Sequence, residues 1–468
     1  MKSKIIIFLF FFIKLHSQIN FAPVENKWTG SWPHVVKIGD LNNDGLNDVV
    51  LGLTSHWQHP NNYSILVYLQ NPNGTLADPV QYSYAVNYLE ISSIDIGDLN
   101  QDGLNDILIG LQSPVSTSRF GIFYQNSNNT FDPLVSTLVS GRLERVRIAD
   151  MNNDGKNDMI ICHYLSIEVF YQGASGVFQN VTITKPYLFN QYVAMANMEI
   201  GDMNNDGKND LVLQAPAFFK LYTYLNTNTG INPIPIVFDT GQLLFNGLAV
   251  GDVNNDGKKD VVLSRGPNNT SKIRILHQTS SPNLYTDQGE IPAYELPEAI
   301  KIGDLNNDGK NEIVTVHGGW VKLSTYTQNS LGNYSSYQMF DLPYASSYDE
   351  DGLAIGDINN DGKKDVVIAN YNRGIDILYN ISNIILNTSE TVLDSELILY
   401  PNPCSDFLKI KYKEKIEKIE IFDMAGKILL SKTLEKEMID IRNLIPGKYI
   451  IRITNKSHSI LVKSFIKQ

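Results

Sequence analysis

The sequence predicts an all-β chain: a seven-bladed β-propeller followed by a small C-terminal β-sandwich. Three observations predict it. A nine-residue acidic loop occurs seven times at nearly constant spacing. Apolar, β-branched runs of strand length flank every copy. Beyond residue 390 the repeat stops, but strand-like alternation with Gly turns continues.

The loop reads Asp40-Leu41-Asn42-Asn43-Asp44-Gly45-Leu46-Asn47-Asp48 and begins again at Asp98, Asp150, Asp202, Asp252, Asp304 and Asp357. Successive copies start 58, 52, 52, 50, 52 and 53 residues apart. Positions one and five are always Asp, position three Asn and position six Gly, while position nine is Asp in every copy but one, Glu312. Hard cations such as Ca²⁺ take about six to eight oxygen ligands. Positions one, five and nine offer carboxylates and position three an amide oxygen. Position seven can offer its backbone carbonyl, which leaves its side chain free to vary. The candidate ligands are Asp40, Asn42, Asp44, Leu46 and Asp48 in the first loop, and Asp98, Asn100, Asp102, Leu104 and Asp106 in the second. The third has Asp150, Asn152, Asp154, Lys156 and Asp158, and the fourth Asp202, Asn204, Asp206, Lys208 and Asp210. The fifth has Asp252, Asn254, Asp256, Lys258 and Asp260, the sixth Asp304, Asn306, Asp308, Lys310 and Glu312, and the seventh Asp357, Asn359, Asp361, Lys363 and Asp365. Glycine at six permits the sharp turn that returns the later ligands to the ion.

A plain Asp-Gly hairpin turn explains Asp44-Gly45 but not three acids in nine residues, which repel one another without a cation between them. An EF-hand or dockerin-type loop requires an acid at position twelve and a helix after it. Position twelve here is Leu51, Ile109, Ile161, Leu213, Leu263, Thr315 or Ile368. Each loop therefore joins two strands, and up to seven structural Ca²⁺ ions are expected. The Glu312 loop is expected to be the weakest, because the longer side chain displaces its ninth-position ligand.

In chain order, residues 1–17 read as a secretory signal peptide. Lys2 and Lys4 precede the apolar run Ile5–Ile13, and Leu15-His16-Ser17 offers a small-residue cleavage site. That run falls short of the roughly 20 residues needed to span a bilayer, and no later segment is apolar enough. Residues 18–390 form the repeat region. In its first unit the strand-like runs are His34–Ile38, Asp48–Leu53, Ser64–Gln70 and Leu76–Tyr82. Four short strands at a period near 50 residues point to propeller blades. The seventh unit lacks an obvious fourth strand. Asn20-Phe21-Ala22-Pro23-Val24 matches the fourth-strand runs Leu76–Val80 and Phe131–Val135, so the N-terminal segment is expected to complete the last blade.

With the loops and their Gly-Asp openings at Gly39, Gly97, Gly201, Gly251, Gly303 and Gly356 (Ala149 in the third copy), residues 34–380 resemble the FG-GAP or VCBS-type repeats of integrin-α-like β-propellers. The resemblance implies seven blades with Ca²⁺ in the loop between strands one and two. Residues 391–468 read as a separate β-sandwich. Tyr400-Pro401-Asn402-Pro403, the Asp423-x-x-Gly426-Lys427 hairpin and Gly447-Lys448-Tyr449 resemble the type A C-terminal sorting domain of the type IX secretion system. That resemblance implies passage across the outer membrane by the type IX machinery, removal of the domain, and a secreted or outer-surface product.

The net charge is −12, yet residues 391–468 carry 14 Lys+Arg against 10 Asp+Glu. The acidity therefore belongs to the loops, as metal ligand, and no basic stripe for nucleic acid appears. Two cysteines, Cys162 and Cys404, give no disulfide framework. Gly-x-Ser-x-Gly, His-Glu-x-x-His and phosphate-loop motifs are missing. His56 and His59, beside Trp57, read as a polar loop. No catalytic residue is assigned. Two classes of function remain: a binding or adhesion module for an extracellular carbohydrate or protein, and a carbohydrate-active enzyme, since some polysaccharide lyases resemble this type of propeller. The enzyme would need convergent acids or a Lys/Arg/Tyr set near the axis. For binding, the end of the blades opposite the acidic loops is free to vary. Its candidate aromatic ligand residues are Trp57, Tyr187, Phe189, Tyr192, Trp320, Tyr344, Tyr348 and Tyr371.

Overall fold

The computed structural model describes residues 19–382 and 398–468, apart from 56–58, 85–88, 114–116, 174–175, 186, 189–190, 193–196, 242–245, 267–270, 280–283, 330–331, 335–336, 413–415, 423–427, 434–437 and 456–459. The expected signal peptide, His56, Trp57 and Phe189 lie outside the described residues. The chain divides into two compact units between residues 384 and 385.

The first unit holds seven four-stranded antiparallel sheets among its described residues. Sheet one is typical: Pro33–Gly39, Asp48–Leu53, Ser64–Tyr68 and Val80–Ser83 pair in sequence order. The next five sheets begin with Glu90–Gly97, Leu143–Ala149, Asn197–Gly201, Gly247–Gly251 and Pro297–Gly303. The seventh begins with Leu353–Gly356. Each first strand packs against the first strand of the next sheet, and the seventh packs against the first. Second strands such as Asp48–Leu53 and Asp365–Asn370 are buried along their whole length. This follows from their unbroken Val/Ile/Leu runs, which have an apolar neighbour on both faces. Fourth strands such as Val80–Ser83 and Val135–Ser140 are largely exposed.

The seventh sheet takes its outer strand from the N-terminal segment. Glu25–Lys27 pairs with Gly374–Leu378, with Glu25 opposite Ile377 and Lys27 opposite Ile375. The strand sits later than the run Asn20–Val24. Phe21 makes only an isolated bridge to Asn380, as Leu76 does to Gln70 and Phe131 to Gln125. In all three places a proline follows within three residues: Pro23, Pro79 and Pro133. Proline cannot donate to a ladder, so regular pairing resumes only beyond it. Ile19 is buried in the core shared by sheets six and seven.

The second unit packs the three-stranded sheet of Ile398–Tyr400, Phe407–Lys411 and Met438–Asp440 with a four-stranded sheet. The latter comprises Ile428–Thr433, Ile416–Phe422, Gly447–Asn455 and Ile460–Lys467. Inward residues of both sheets, including Leu408, Ile410, Ile421, Ile439, Ile451 and Phe465, form one core.

Removing Ile19–Lys27 strips the outer strand from the seventh sheet and uncovers its neighbour. Burying one large apolar side chain contributes about 1.5–3 kcal/mol. The deletion is therefore expected to lower unfolding free energy by about 3 kcal/mol or more. Denaturant midpoints of the two forms measure it, and an unchanged midpoint contradicts the strand's role.

Candidate functional site

The seven acidic loops share one geometry. The N–H of glycine six donates to an oxygen of the first Asp, from Gly45 to Asp40 at 2.9 Å through to Gly362 on Asp357 at 2.8 Å. The N–H of position five donates to the Asn at three. The N–H of position seven donates to the Asp at five. Two residues per loop are left-handed: glycine six, with φ of 81° to 83°, and position four, an Asn in six copies and Gln101 in the other, with φ of 54° to 64°. Asn tolerates that region better than most side chains. Position four was not among the sequence candidates; its near-constant Asn was the available signal.

The ninth acid behaves differently. Asp48, Asp106, Asp158, Asp210, Asp260 and Asp365 are fully buried, and Glu312 nearly so. One oxygen of Asp48 accepts the N–H of Leu41 and the other that of Gln70, both at 2.7 Å. The same pair of bonds recurs at Asp106, Asp158, Asp210, Asp260 and Asp365. Glu312 accepts the N–H of Leu305, and its other oxygen takes the side-chain amide of Asn306 instead. Its extra methylene thus draws the position-three Asn inward. Burial, reinforced by the charges at positions five and one, pushes Asp48 and Asp210 up to about 6, Asp106 and Asp365 to about 7, and Glu312 to about 8. Asp158 and Asp260 shift the same way.

Among the described residues, no three Asp, Glu, His or Cys side chains already converge tightly enough to hold a metal ion. The ninth acid faces backbone N–H groups rather than its two partners. The donor set nevertheless fits a hard cation. It is oxygen only, and Asp44 and Asp48 each accept one hydrogen bond per oxygen, which leaves each oxygen a lone pair. The amide oxygens of Gln70, Gln125, Gln172 and Gln328, at the ends of third strands beside the loops, are buried without a donor. A cation's water shell would satisfy such atoms.

At the other end of the sheets the aromatic candidates partly converge. Trp320 lies in the turn between Glu312–His317 and Lys322–Tyr326, and is 39% exposed. The backbone of that turn bonds the segment holding Tyr344, from Gly319 N–H to the Ala345 carbonyl at 2.8 Å. Tyr344 is 49% exposed. Ser346 N–H in turn bonds Asn372 at 2.6 Å, next to Tyr371. Tyr371 stacks on Trp32 at 5.1 Å. Three of the eight candidates therefore lie on turns joined by hydrogen bonds. Tyr348 does not belong with them: it is 7% exposed and packs in the core with Leu353 and Ile368, because its neighbours Asp349–Asp351 are drawn inward. The backbones of Tyr187 and Tyr192 pair in a two-residue ladder, away from this set in sequence. Trp28, absent from the candidates, is 59% exposed.

Sequence reasoning missed a charged cluster inside the circle of first strands. The short 3-10 turn Glu350–Gly352 points its acids inward. Arg147 grips Asp351 through both terminal nitrogens, at 2.8 and 2.9 Å, and Ser93 donates to the same carboxylate at 2.7 Å. Arg145 and His34 reach Asp349 at 3.3 and 3.8 Å, Lys301 reaches Glu199 at 3.1 Å, and Lys37 reaches Asp95 at 2.8 Å. Beside them is a cavity of about 240 Å³ lined by Lys37, Arg147, Glu199, Lys301 and Asp351. Burial opposes ionisation of Asp351, but Arg147, Arg145 and Lys301 overcome it and hold its pKa far below the carboxylate range. For Glu350 burial wins over Lys301 and pushes the carboxyl well above the ordinary carboxylate range; one oxygen accepts Leu248 N–H at 2.8 Å and the other has no hydrogen-bond partner among the described residues. The legible signals were Arg145 and Arg147, two apart in an inner strand, and Asp349-Glu350-Asp351 outside any loop. Cys162 is buried, and burial pushes its thiol to about 12, which fits a core residue and not a nucleophile.

Asp351→Asn removes the two-pronged partner of buried Arg147 and leaves Glu199, at 3.7 Å, as its remaining ion pair among the described residues. Breaking one side of a buried pair costs about 3–5 kcal/mol. Glu350→Gln keeps the acceptor for Leu248 N–H, breaks no two-pronged pair and is expected to cost about 1 kcal/mol or less. Denaturant unfolding of both variants tests the contrast; equal losses would refute the Arg147–Asp351 pair as the stronger interaction.

Comparison with known protein families gives two matches. The FG-GAP-like repeat matches residues 40–109, 150–213, 202–263, 252–315 and 304–368, which together contain all seven loops. The secretion system C-terminal sorting domain matches residues 398–468. A search of curated proteins gives no match. The sorting domain makes this a protein that is secreted or attached at the outer surface and that engages the type IX secretion machinery. No helix among the described residues is long and apolar enough to cross a membrane. The chain belongs to the FG-GAP-like repeat family and ends in a type IX secretion sorting domain.

Proposed function

We propose that this is a secreted calcium-binding β-propeller of seven blades that acts as a binding or adhesion module for an extracellular carbohydrate or protein. The observation that carries the reading is the division of the sheets into two unlike ends. One end holds seven near-identical oxygen-rich loops. The other holds exposed aromatics, Trp320 and Tyr344, on irregular turns next to Tyr371. Repeated loops suit a repeated structural ion, and irregular aromatic turns suit stacking on sugars or peptides. Residues 1–17 serve as the signal peptide in this reading, and the C-terminal domain is removed on export.

Positions one, three, five and nine of each loop, with the carbonyl of position seven, would hold the ion. A bound Ca²⁺ supplies positive charge to acids that are otherwise crowded together. Its role in this reading is structural, since the seven sites are alike. The enclosed charged cluster is the one feature that favours an enzyme. Its arginines and lysines are already matched to carboxylates, so a substrate would have to displace an existing ion pair. Binding is the better account.

The test is a glycan and matrix-protein array probed with the Ca²⁺-loaded chain, then with Trp320→Ala and Tyr344→Ala. Either variant, still folded, is expected to lose about tenfold in affinity, as a stacking contact worth about 1–2 kcal/mol would give. Unchanged binding by both would assign the ligand elsewhere.

Chelation gives a second test. Extracellular sites bind Ca²⁺ with Kd near 10⁻⁴–10⁻³ M. At about 1 mM Ca²⁺ each site then contributes roughly 0.4–1.4 kcal/mol. EGTA is expected to lower Tm. The pH dependence should also reverse sign. Without cation the raised ninth acids bind more protons in the folded than in the unfolded chain, so stability increases as pH falls from 7 toward 5. With Ca²⁺ bound, protons compete with the ion and stability decreases over the same range. Thermal melts at both pH values, with and without EGTA, read this out; parallel curves would exclude loop-bound cation.

A further inference from the structure

We propose that the seven acidic loops are a single coupled array, so that cations load around the circle cooperatively and not site by site. The inference rests on the reading of the loops as Ca²⁺ sites and adds to it how the sites communicate.

The carriers are the amide side chains at the ends of the third strands: Gln125, Gln172, Asn226, Gln278, Gln328 and Asn380. Each reaches back to the preceding loop and donates to the carbonyl of its first or second residue. Gln125 bonds Leu41 at 2.5 Å, Gln172 bonds Asp98 at 3.2 Å and Asn226 bonds Met151. Gln278 bonds Asp202 at 2.8 Å, Gln328 bonds Val253 at 2.6 Å and Asn380 bonds Leu305 at 2.5 Å. Except at Gln328, the backbone N–H of the same residue donates to the ninth acid of its own loop, as Gln125 does to Asp106 at 2.8 Å.

The connection therefore runs through a continuous chain of bonds. Asp48 holds Leu41 N–H, the Leu41 carbonyl holds the Gln125 amide, Gln125 N–H holds Asp106, and Asp106 holds Leu99 N–H. A second stitch comes from the Asn at position eight. Asn105, Asn209 and Asn311 donate to the first-position carbonyls of Asp40, Asp150 and Asp252 at 2.8 to 2.9 Å. Asn47 closes the circle by donating to Asp357 at 3.0 Å. Gln70, which has the corresponding place at that closure, leaves its side-chain amide without a partner. Thin points among the described bonds are the closure, held by Asn47, the joint between loops two and three, held by Gln172, and the joint between loops four and five. Loop five has Lys259 at position eight, so among the described bonds only Gln278 links it to loop four in this way.

Ordering one loop around an ion fixes the peptides that follow its first and second residues. The carbonyl of one of them is the acceptor that positions the next sheet's amide, and through it the next ninth acid. The next site is then bound with part of its ordering already done, which is positive coupling without a change of fold. The coupling path is contiguous and bonded.

Native mass spectrometry of the full chain, titrated with Ca²⁺ and in parallel with Tb³⁺, is the test. At half loading the natural chain is expected to show two populations, nearly empty and nearly full. Cutting the closure and the joint between loops four and five, with Asn47→Leu and Gln278→Met, splits the array into loops one to four and five to seven. Species carrying three or four ions are then expected to accumulate. Failure of either ion to bind would remove the Ca²⁺ reading itself. Binding with independent, evenly graded loading in the natural chain would leave that reading intact and overturn the coupling. Bimodal loading that the double variant leaves unchanged would overturn the amide chain as its carrier. The natural chain decides the first two outcomes on its own, and Gln278→Asn, which shortens the reach while keeping the amide, replaces Gln278→Met if the double variant does not fold.

Discussion

The buried carboxylate at position nine is the constraint on which the first unit depends. A carboxylate taken out of water must recover its hydrogen bonds or be neutralised. Here both oxygens are met by backbone N–H groups, one at the start of the loop and one at the end of the third strand. A single side chain thus fixes where strand one ends, where strand two begins and where strand three stops. Next to it, position two is a buried apolar residue in every copy: Leu41, Leu99, Met151, Met203, Val253, Leu305 and Ile358. The loop is accordingly anchored in the core and not draped over it. This anchoring explains why seven loops that differ at positions seven and eight keep the same three internal hydrogen bonds.

The same unit places charge in its centre by a different solution. Around the ninth acids the like charges at positions one and five raise proton affinity, which a divalent cation would relieve. In the centre, Asp351 is matched by arginine in a two-pronged bond, while burial pushes the Glu350 carboxyl well above the ordinary carboxylate range. The three-residue turn touches the first strands through Ser93, Arg147 and Leu248. It links sheets far apart in sequence, as an interior filled only by Val and Ile from identical repeats would not. Buried pairs of this kind are poor stabilisers compared with apolar packing. Their effect is to specify one register for the circle, because no other sheet offers the Arg145–Arg147 pair.

Much of this was legible in the sequence. The loop period, the β-branched exits and the orphan N-terminal run foretold four-stranded repeats with a shared last sheet, because side-chain alternation and turn chemistry act locally. The displaced outer strand was legible too, had Pro23 been read as a break and not as part of the run. Less legible was everything requiring two repeats at once. Gln125 reads as an ordinary polar strand end; only packing brings its amide to Leu41. Arg145, Arg147 and Asp351 are separated by some two hundred residues, and their pairing is a property of the circle. Tyr348 was misjudged for the same reason, since a loop tyrosine is exposed only if its neighbours are not pulled inward.

The two ends of the sheets differ in how much change each can absorb. At the acidic end the side chains of one loop complete the hydrogen bonding of the next, so a substitution there alters two repeats. At the opposite end the turns lack a common motif. Gly30, Gly141, Gly319 and Gly374 take left-handed φ there, without a shared pattern around them. The turn at Trp320 bonds to the connection holding Tyr344, and beyond that the face is built from segments of unlike length. Surface chemistry can therefore change at this end without disturbing the amide chain or the central ion pairs. The proposed recognition surface would use that freedom, with the hydrogen-bonded acidic end as the frame against which the aromatic turns are held.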